Sequence, residues 1–226
     1  MENAAEFTQL VKLMETLRGP RGCPWDREQT HRSIRPYLLE ETYEVLEAID
    51  SGDDEKFKEE LGDLLLQIVF HCQMAKEEGK FDITGVIGQV IKKLTRRHPH
   101  VFAKVKVKNS QEVLENWEKI KSGEKDRYIL EGVPKSLPAL LKAFRVQEKL
   151  SRVEADQSKA EEIYEEIEDR LSKLREATQG GDADLEEKGF GELLFSLVSL
   201  ARNLGLSPED ALRKKVEEYM ARLKKP

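Results

Sequence analysis

The chain has 226 residues, which is enough for two modest domains that each bury a core of their own. Charged residues make up 36% and aromatic residues 7% of it, a composition that favours an all-helical protein with a heavily charged surface. The formal net charge of −6 argues against a general binder of nucleic acids or anionic membranes. No apolar run approaches the roughly 20 residues that a spanning helix needs.

Cys23 and Cys72 are the two cysteines, and they show neither metal-ligand spacing nor the framework of a secreted disulfide protein. We therefore expect a reduced, cytoplasmic protein.

The first half of the chain begins with a helical pattern over about residues 5–18, which ends at the Gly- and Pro-rich turn GPRGCPWD. We expect Cys23 and Trp25 to anchor this loop, and we assign them no chemistry. Helical periodicity then predicts four more helices, at about 35–51, 54–78, 82–97 and 110–121.

The segment 122–138 is polar and contains Gly and Pro, so we place a domain boundary there. Four further helices follow, at about 138–152, 158–178, 184–204 and 207–224. The predicted organisation is an N-terminal domain over 1–122, a linker over 123–137 and a C-terminal domain over 138–226.

The two halves repeat each other. EETYEVLEAI is echoed by YEEIEDRLSKL, and EELGDLLLQIVFHCQMAKEEG by KGFGELLFSLVSLARNLG, at offsets of about 125 to 129 residues. Four acids of the first copy are Glu41, Glu44, Glu60 and Asp63. Their counterparts in the second copy are Glu166, Asp169, Gly189 and Glu192. Because one carboxylate is lost, we expect the second copy to be catalytically weak or silent.

The first acidic helix carries Glu41 and Glu44 at the edge of its apolar arc, three residues apart. The core-facing arc is predicted to comprise Leu38, Leu39, Val45, Leu46 and Ile49. Neighbouring carboxylates repel each other unless a cation or hydrogen-bond donors intervene, so something positive is expected there.

The second acidic helix is apolar on nearly every side except for a narrow stripe that contains Glu60, Asp63, Gln67 and His71. We therefore predict a buried helix, in which carboxylates are costly unless they are paired or bound to metal. Oxygen ligands of this kind suit Mg²⁺. The alternative is a non-catalytic scaffold in which Lys and Arg neutralise the acids.

Five segments together carry a family resemblance. EETYE, then fifteen residues, then ELGD is similar to the acidic signature of the MazG-type nucleoside triphosphate pyrophosphohydrolases, and GCPWDREQTH, RRHPHVF and SLPALLKA also resemble these proteins. The resemblance implies an all-α protein of two tandem helical-bundle domains of the all-α NTP pyrophosphatase type. It also implies homodimers and Mg²⁺-dependent hydrolysis, with Mn²⁺ as a substitute, of NTPs and dNTPs to a monophosphate and pyrophosphate.

The same resemblance implies residue roles. Glu41, Glu44, Glu60 and Asp63 would ligate Mg²⁺, and Glu40 would hold or activate the attacking water. The expected substrate-binding residues are Lys56, Lys93, Arg96, Arg97, Trp117 and Lys121. Lys93 and Arg97 are four residues apart and share a face suited to phosphate oxygens, while Trp117 would stack a base.

Position in the sequence, not the resemblance, gives the histidine roles. His98 and His100 flank Pro99 and are expected to cap a helix rather than bind a metal. His71 is expected to make a structural hydrogen bond, and the alternative is that it supports the site without binding the metal.

Overall fold

The computed structural model describes residues 2–123, 130, 132–151 and 159–223. The described residues contain helices and no strand, so the predicted all-α class is confirmed. The helices are α1 Glu2–Arg18, α2 Pro24–Glu28, α3 Arg35–Ser51, α4 Asp54–Glu77, α5 Ile83–Arg97, α6 Pro99–Phe102, α7 Ser110–Ser122, α8 Ala139–Ser151, α9 Ala160–Gly180, α10 Ala183–Asn203 and α11 Pro208–Leu223.

The chain divides into two compact units, Met1–Lys121 and Ser122–Pro226. The predicted linker 123–137 includes residues 124–129 and 131, which lie outside the described residues.

Two short helices, α2 and α6, occupy segments that the sequence pattern assigned to loops. Each has four or five residues and begins with a proline, Pro24 or Pro99. Proline at the first helical position has the right φ and loses no hydrogen bond there, so a single turn can form. A helix this short has too few turns for apolar periodicity to reveal it.

The core of the first unit lies where α4 packs against α1 and α3. It is formed by Met14, Ile34, Val69, Phe70 and Met74. The guanidinium of Arg18 extends this packing, because it pairs with Glu77 on α4 at 2.8 Å. The same group also donates to the carbonyl oxygen of Asp26, and so ties the loop around α2 to the helices.

The α3–α4 hairpin has a defined turn. Gly52 ends α3 in the left-handed conformation with φ of 68°, which glycine adopts without a steric penalty. Asp53 then caps α4, because its carboxylate accepts hydrogen bonds from the backbone N–H groups of Glu55 and Lys56 at 3.0 and 3.1 Å.

The α9–α10 hairpin of the second unit repeats this turn. Gly181 has φ of 69°, and the Asp182 carboxylate accepts from the N–H groups of Asp184 and Leu185, both at 3.1 Å. In the same unit, α10 packs on α8 and α9, and Ile163, Ser196 and Val198 are buried. The sequence repeat is therefore also a repeat of local structure.

The prediction that α4 is buried on nearly every side is wrong for the single chain. Leu61, Leu65 and Ile68 lie on one face, at i, i+4 and i+7, and are 44%, 36% and 40% exposed. Two members of the predicted core arc of α3, Leu39 and Ile49, are also exposed. One chain supplies neighbours for one side of these helices and leaves their other apolar side uncovered.

Candidate active site

Three carboxylates from two helices converge in the first unit. Glu41 on α3, and Glu60 and Asp63 on α4, each bring an oxygen to within 4.8 Å of the other two. All three side chains are half-buried, as expected for Glu41 at the edge of the core, whereas Glu60 and Asp63 were expected on a buried helix. Glu60 and Asp63 share a face of α4 because they are three residues apart, and the packing of α3 on α4 brings Glu41 to them.

Burial and mutual repulsion act on this acid cluster more strongly than the nearby charge of Lys56, which lowers the pKa of Glu60 only in part. Among the described residues, no Lys or Arg forms an ion pair with Glu41, Glu60 or Asp63. Burial raises the pKa of Glu41, and a hydrogen bond with Glu44 and the charge of Asp63 raise it further. Burial and the charge of Glu44 also raise the pKa of Glu60. The cluster therefore favours binding a proton or a cation.

The donor set fits a hard divalent cation, since Mg²⁺ prefers carboxylate oxygens. Glu44 lies beside the three converging acids, close enough for its carboxyl group to raise the pKa of Glu41. Glu40, predicted to hold the water, is exposed on α3. The structure thus brings together three of the four predicted metal ligands and places the fourth next to them.

Lys56 lies in the first turn of α4, and its ammonium donates to Glu47, near the C-terminal end of α3, at 3.0 Å. This hydrogen bond raises the pKa of Lys56, and the charges of Glu47, Glu60 and Glu44 raise it further. The predicted phosphate contact is therefore a firmly charged lysine close to the acids.

The C-terminal end of α5 meets α7 through an aromatic contact. The guanidinium carbon of Arg97 lies 5.3 Å from the ring centroid of Trp117, and the ring of His98 meets the same indole edge-on at 4.8 Å. His98 Nδ1 is 2.7 Å from the carbonyl oxygen of Leu94, so the predicted capping role of His98 is confirmed. The other predicted phosphate contacts, Lys93, Arg96 and Lys121, are exposed.

Comparison with known proteins places this geometry in a family. The model of the MazG nucleotide pyrophosphohydrolase domain matches residues 29–102, which include all three converging acids. A nucleoside triphosphate pyrophosphohydrolase/pyrophosphatase MazG from Thermotoga maritima is 47% identical over 222 residues, covering 97% of this chain and 84% of the relative. A nucleoside triphosphate pyrophosphohydrolase from Escherichia coli K12 is 44% identical over 228 residues, covering 97% and 86%.

The chain belongs to the MazG family. It is accordingly a hydrolase. A crystal structure of a mazG-related protein from Thermotoga maritima aligns with 51% of this chain and 98% of its own, at 27% identity and a TM-score of 0.45. None of the helices in the described part of the chain is long and apolar enough to cross a membrane.

In the second copy of the sequence repeat, two of the acids are paired with basic side chains. Arg170 pairs with Glu166 and also donates to the carbonyl oxygen of Glu192 at 2.7 Å. Lys173 pairs with Asp169 at 2.6 Å. At an offset of 125, these two cations stand where the first copy has the buried residues Val45 and Ala48. The scaffold alternative, in which Lys and Arg neutralise the acids, thus describes two acids of the second copy.

His71, on the polar stripe of α4, makes a structural contact with His31. Their Nδ1 atoms are 2.7 Å apart, and the rings stack with centroids separated by 5.0 Å. The predicted structural hydrogen bond of His71 is therefore confirmed. Burial lowers the pKa of His71, and the neighbouring His31 lowers it further. The pair joins the segment before α3 to the far end of the stripe that begins with Glu60.

Cys23 and Trp25, which were both expected to anchor their loop, differ in the contacts that they make. The side chain of Trp25 is 52% exposed, whereas the backbone N–H of Cys23 holds the loop by donating to Leu17 at 2.7 Å. Trp25 instead contacts Tyr37 on α3, a residue to which the sequence reasoning gave no role. The available signal was the position of Tyr37, one turn before Glu41.

Proposed function

We propose that the α3–α4 site hydrolyses NTPs and dNTPs to a nucleoside monophosphate and pyrophosphate, for control or house-cleaning of the nucleotide pool. The observation that carries this proposal is the convergence of Glu41, Glu60 and Asp63, none of which forms an ion pair with a described Lys or Arg. Family membership supports the reaction class. Water attacks the α-phosphorus, the bond from that phosphorus to the bridging oxygen breaks, and the pyrophosphate leaves.

The chain's acids have two tasks in this proposal. Glu41, Glu44, Glu60 and Asp63 hold Mg²⁺, which when bound neutralises phosphate oxygens and lowers the pKa of water. Glu40, which is exposed at the start of the same acidic run, orients the attacking water and accepts its proton. The raised pKa values of Glu41 and Glu60 support the need for a cation, because two ionised carboxylates so close together repel each other.

The triphosphate needs cations in addition to the metal. Lys56, Lys93, Arg96, Arg97 and Lys121 are the proposed phosphate contacts, and Trp117 is a proposed base contact. Lys56 has the best structural support, because its raised pKa reflects the charges of Glu60 and Glu44 as well as its bond to Glu47. Substrate phosphates would take up the donors that Glu47 now engages.

We also propose that the protein is a cytoplasmic homodimer. The exposed face of Leu61, Leu65 and Ile68 is a continuous apolar stripe on α4, and a second copy of the chain can cover it. Charged substitution of Leu65, as Leu65→Glu, should shift the sedimentation profile to the monomer. An unchanged profile, or a wild-type protein that sediments as a monomer, would contradict the dimer.

Product analysis in ¹⁸O-labelled water tests the reaction. A panel of NTPs and dNTPs is incubated with Mg²⁺, with separate detection of pyrophosphate and inorganic phosphate. Attack at the α-phosphorus puts the label in the monophosphate, whereas attack at the β-phosphorus puts it in the pyrophosphate. Release of inorganic phosphate alone would indicate attack at the γ-phosphorus and would refute the proposal.

A further inference from the structure

Two exposed aromatic rings lie together at the N-terminal end of the acid-bearing helix. Trp25 on α2 is 52% exposed, and Tyr37 in the first turn of α3 is 40% exposed. Their ring centroids are 6.2 Å apart, and the rings are inclined by 55°. The two rings therefore form a partly exposed aromatic surface, which we call the aromatic wall.

The loop that carries Trp25 is held in place by several hydrogen bonds. Arg18, fixed by its ion pair with Glu77, donates to the carbonyl oxygens of Asp26 and Gln29. The side-chain amide of Gln29 in turn donates to the carbonyl oxygen of Trp25 at 3.0 Å. The indole is thus presented by a braced loop, and a braced loop loses little conformational entropy when a ligand binds.

The aromatic wall lies at one end of a series of side chains along α3. Tyr37 stands four residues before Glu41 and seven before Glu44, so all three share a face and Tyr37 lies about 6 Å along the axis from Glu41. At the opposite end of α3, Glu47 holds Lys56. Along the helix the sequence of groups is aromatic ring, carboxylate cluster and cation.

A nucleoside triphosphate has matching groups in the same order. Its base is followed, one sugar away, by the α-phosphate, and then by the β- and γ-phosphates. With the α-phosphate at the carboxylate cluster and the outer phosphates toward Lys56, the base falls at the aromatic end of α3. An aromatic surface binds a base by stacking, and every base has a π-face, so such a surface discriminates weakly among bases.

The other tryptophan of the chain is less open. Trp117 is half-buried, Arg97 lies over its ring at 5.3 Å, and His98 contacts it edge-on. Trp25 has one aromatic neighbour, Tyr37, and about half of its surface exposed. Between the two indoles, Trp25 offers the larger open surface to a base.

We propose that Trp25 and Tyr37 form the stacking wall for the base of the substrate, and that this wall admits both purines and pyrimidines. The inference rests on the proposed function, because it assumes that the nucleotide's α-phosphate is held at Glu41, Glu60 and Asp63.

Kinetics of the full chain test the wall. Trp25→Ala and Tyr37→Ala should each raise KM for ATP and for dCTP by about 5- to 160-fold, since stacking on one aromatic ring is worth about 1–3 kcal/mol per base. kcat should change much less. Trp25→Phe and Tyr37→Phe keep a ring at each position and should restore most of the affinity. Inhibition by inorganic tripolyphosphate, which has no base, should be the same in all variants.

A binding measurement separates this inference from the proposed reaction. In a Trp117→Phe chain, Trp25 is the one remaining tryptophan. Its fluorescence should be quenched saturably by a nucleoside monophosphate and unchanged by tripolyphosphate, whether or not pyrophosphate is ever released. If no pyrophosphate were released but the fluorescence of Trp25 were still quenched, the proposed reaction would be rejected and the proposed base contact would stand.

Three results would overturn the inference. The first is an unchanged KM in both alanine variants, and the second is a rise in KM that occurs in Trp117→Ala alone. The third is a change in sedimentation of Trp25→Ala with no base-dependent effect, which would mean that the rings contact another protein surface. Circular dichroism of each variant verifies that its helices are retained.

Discussion

The α3–α4 and α9–α10 hairpins have the same turn and put similar acids to different uses. In both, a left-handed glycine ends the first helix and an aspartate caps the second. In the first hairpin, none of the converging acids forms an ion pair with a described Lys or Arg, whereas the second pairs Glu166 with Arg170 and Asp169 with Lys173. One backbone frame therefore supports either a candidate metal site or internal ion pairs, and a few side chains decide which.

Gly189 shows that the loss of the third acid is not a requirement of the backbone. A Cβ atom built at this position would meet the Leu174 side chain at 3.4 Å and its Cα at 3.7 Å, which are ordinary contacts. Gly189 lies within α10, where glycine is the weaker helix former by about 1 kcal/mol relative to alanine. The backbone of α10 therefore leaves room for a Cβ atom at Gly189, and the glycine lowers helix stability without a steric need at that atom.

Removal of a converging acid should have the largest effect. Asp63→Asn keeps the size of the side chain and removes its charge, and we expect pyrophosphate release to fall by more than about 100-fold. Even an outer-shell partner of a metal typically costs roughly 10–100-fold. The measurement is initial rate at saturating Mg²⁺, with circular dichroism to verify the helices.

The matched control is Glu192→Gln, at the position of the second copy that corresponds to Asp63. This variant should turn over substrate at a rate close to that of the wild type. Equal losses of activity in the two variants would contradict a functional difference between the hairpins. Full activity in Asp63→Asn would contradict its role as a metal ligand.

Thermal stability should respond to Mg²⁺ in a pH-dependent way. The folded pKa values of Glu41 and Glu60 are raised above 4.5, so their contribution to stability is fully present below that pH and is lost as the pH rises through the folded values. Mg²⁺ offsets the repulsion between ionised acids, and bound protons compete with it. We expect the Mg²⁺-induced rise in Tm to be largest near neutral pH and to shrink toward about pH 4.5.

The two hairpins again provide the contrast for this measurement. The double variant Glu41→Gln, Asp63→Asn should lose the Mg²⁺ response, whereas Glu166→Gln, Glu192→Gln should retain it. If the second double variant were the one to lose the response, the metal would belong to α9–α10.

Replacing the cations of the second copy by their first-copy counterparts should have a modest effect. In Arg170→Val, Lys173→Ala, two ion pairs with exposed or partly exposed side chains are lost, and water screens such pairs so that each contributes little to stability. Thermal unfolding should therefore show a fall in Tm of roughly 2–4 °C. Pyrophosphate release should be unchanged, and a large loss of activity would mean that the second copy takes part in turnover.

The smallest effect should come from His71, whose counterpart in the second copy at an offset of 129 is Leu200. The folded pKa of His71 is lowered below 6.5, so its stabilising contribution is present above that pH and is lost as the pH falls through the folded value. His71→Gln should flatten the dependence of Tm on pH in the acid range. An identical slope in wild type and variant would show that the stacked pair does not titrate with unfolding.

Much of the fold follows from local pattern. The bounds predicted for α3, 35–51, match the helix Arg35–Ser51, because the alternation of apolar and polar residues and the glycine that ends the helix are local signals. The three-residue spacing of Glu60 and Asp63 likewise made a shared face certain. The helices α2 and α6 escaped prediction because one turn leaves no period to detect.

Contacts between residues far apart in the sequence could not be predicted from the local sequence pattern. The apolar wheel of α4 suggested burial all round, yet Leu61 and Leu65 are exposed, because burial depends on how many neighbours one chain supplies. The pairing of Trp25 with Tyr37 depends on the loop that Arg18 braces through its bond to Glu77, 59 residues away.

The amino-acid sequence by itself determined the helices, the duplication and the spacing of the acids, because the rise and turn of a helix place neighbours three or four residues apart on one face. Tertiary structure alone decided that Glu41 meets Glu60 and Asp63, and that Arg170 and Lys173 lie within reach of the acids of the second copy. The interaction of a charge depends on its distance in space from other groups, and packing sets that distance for side chains that are far apart in the sequence.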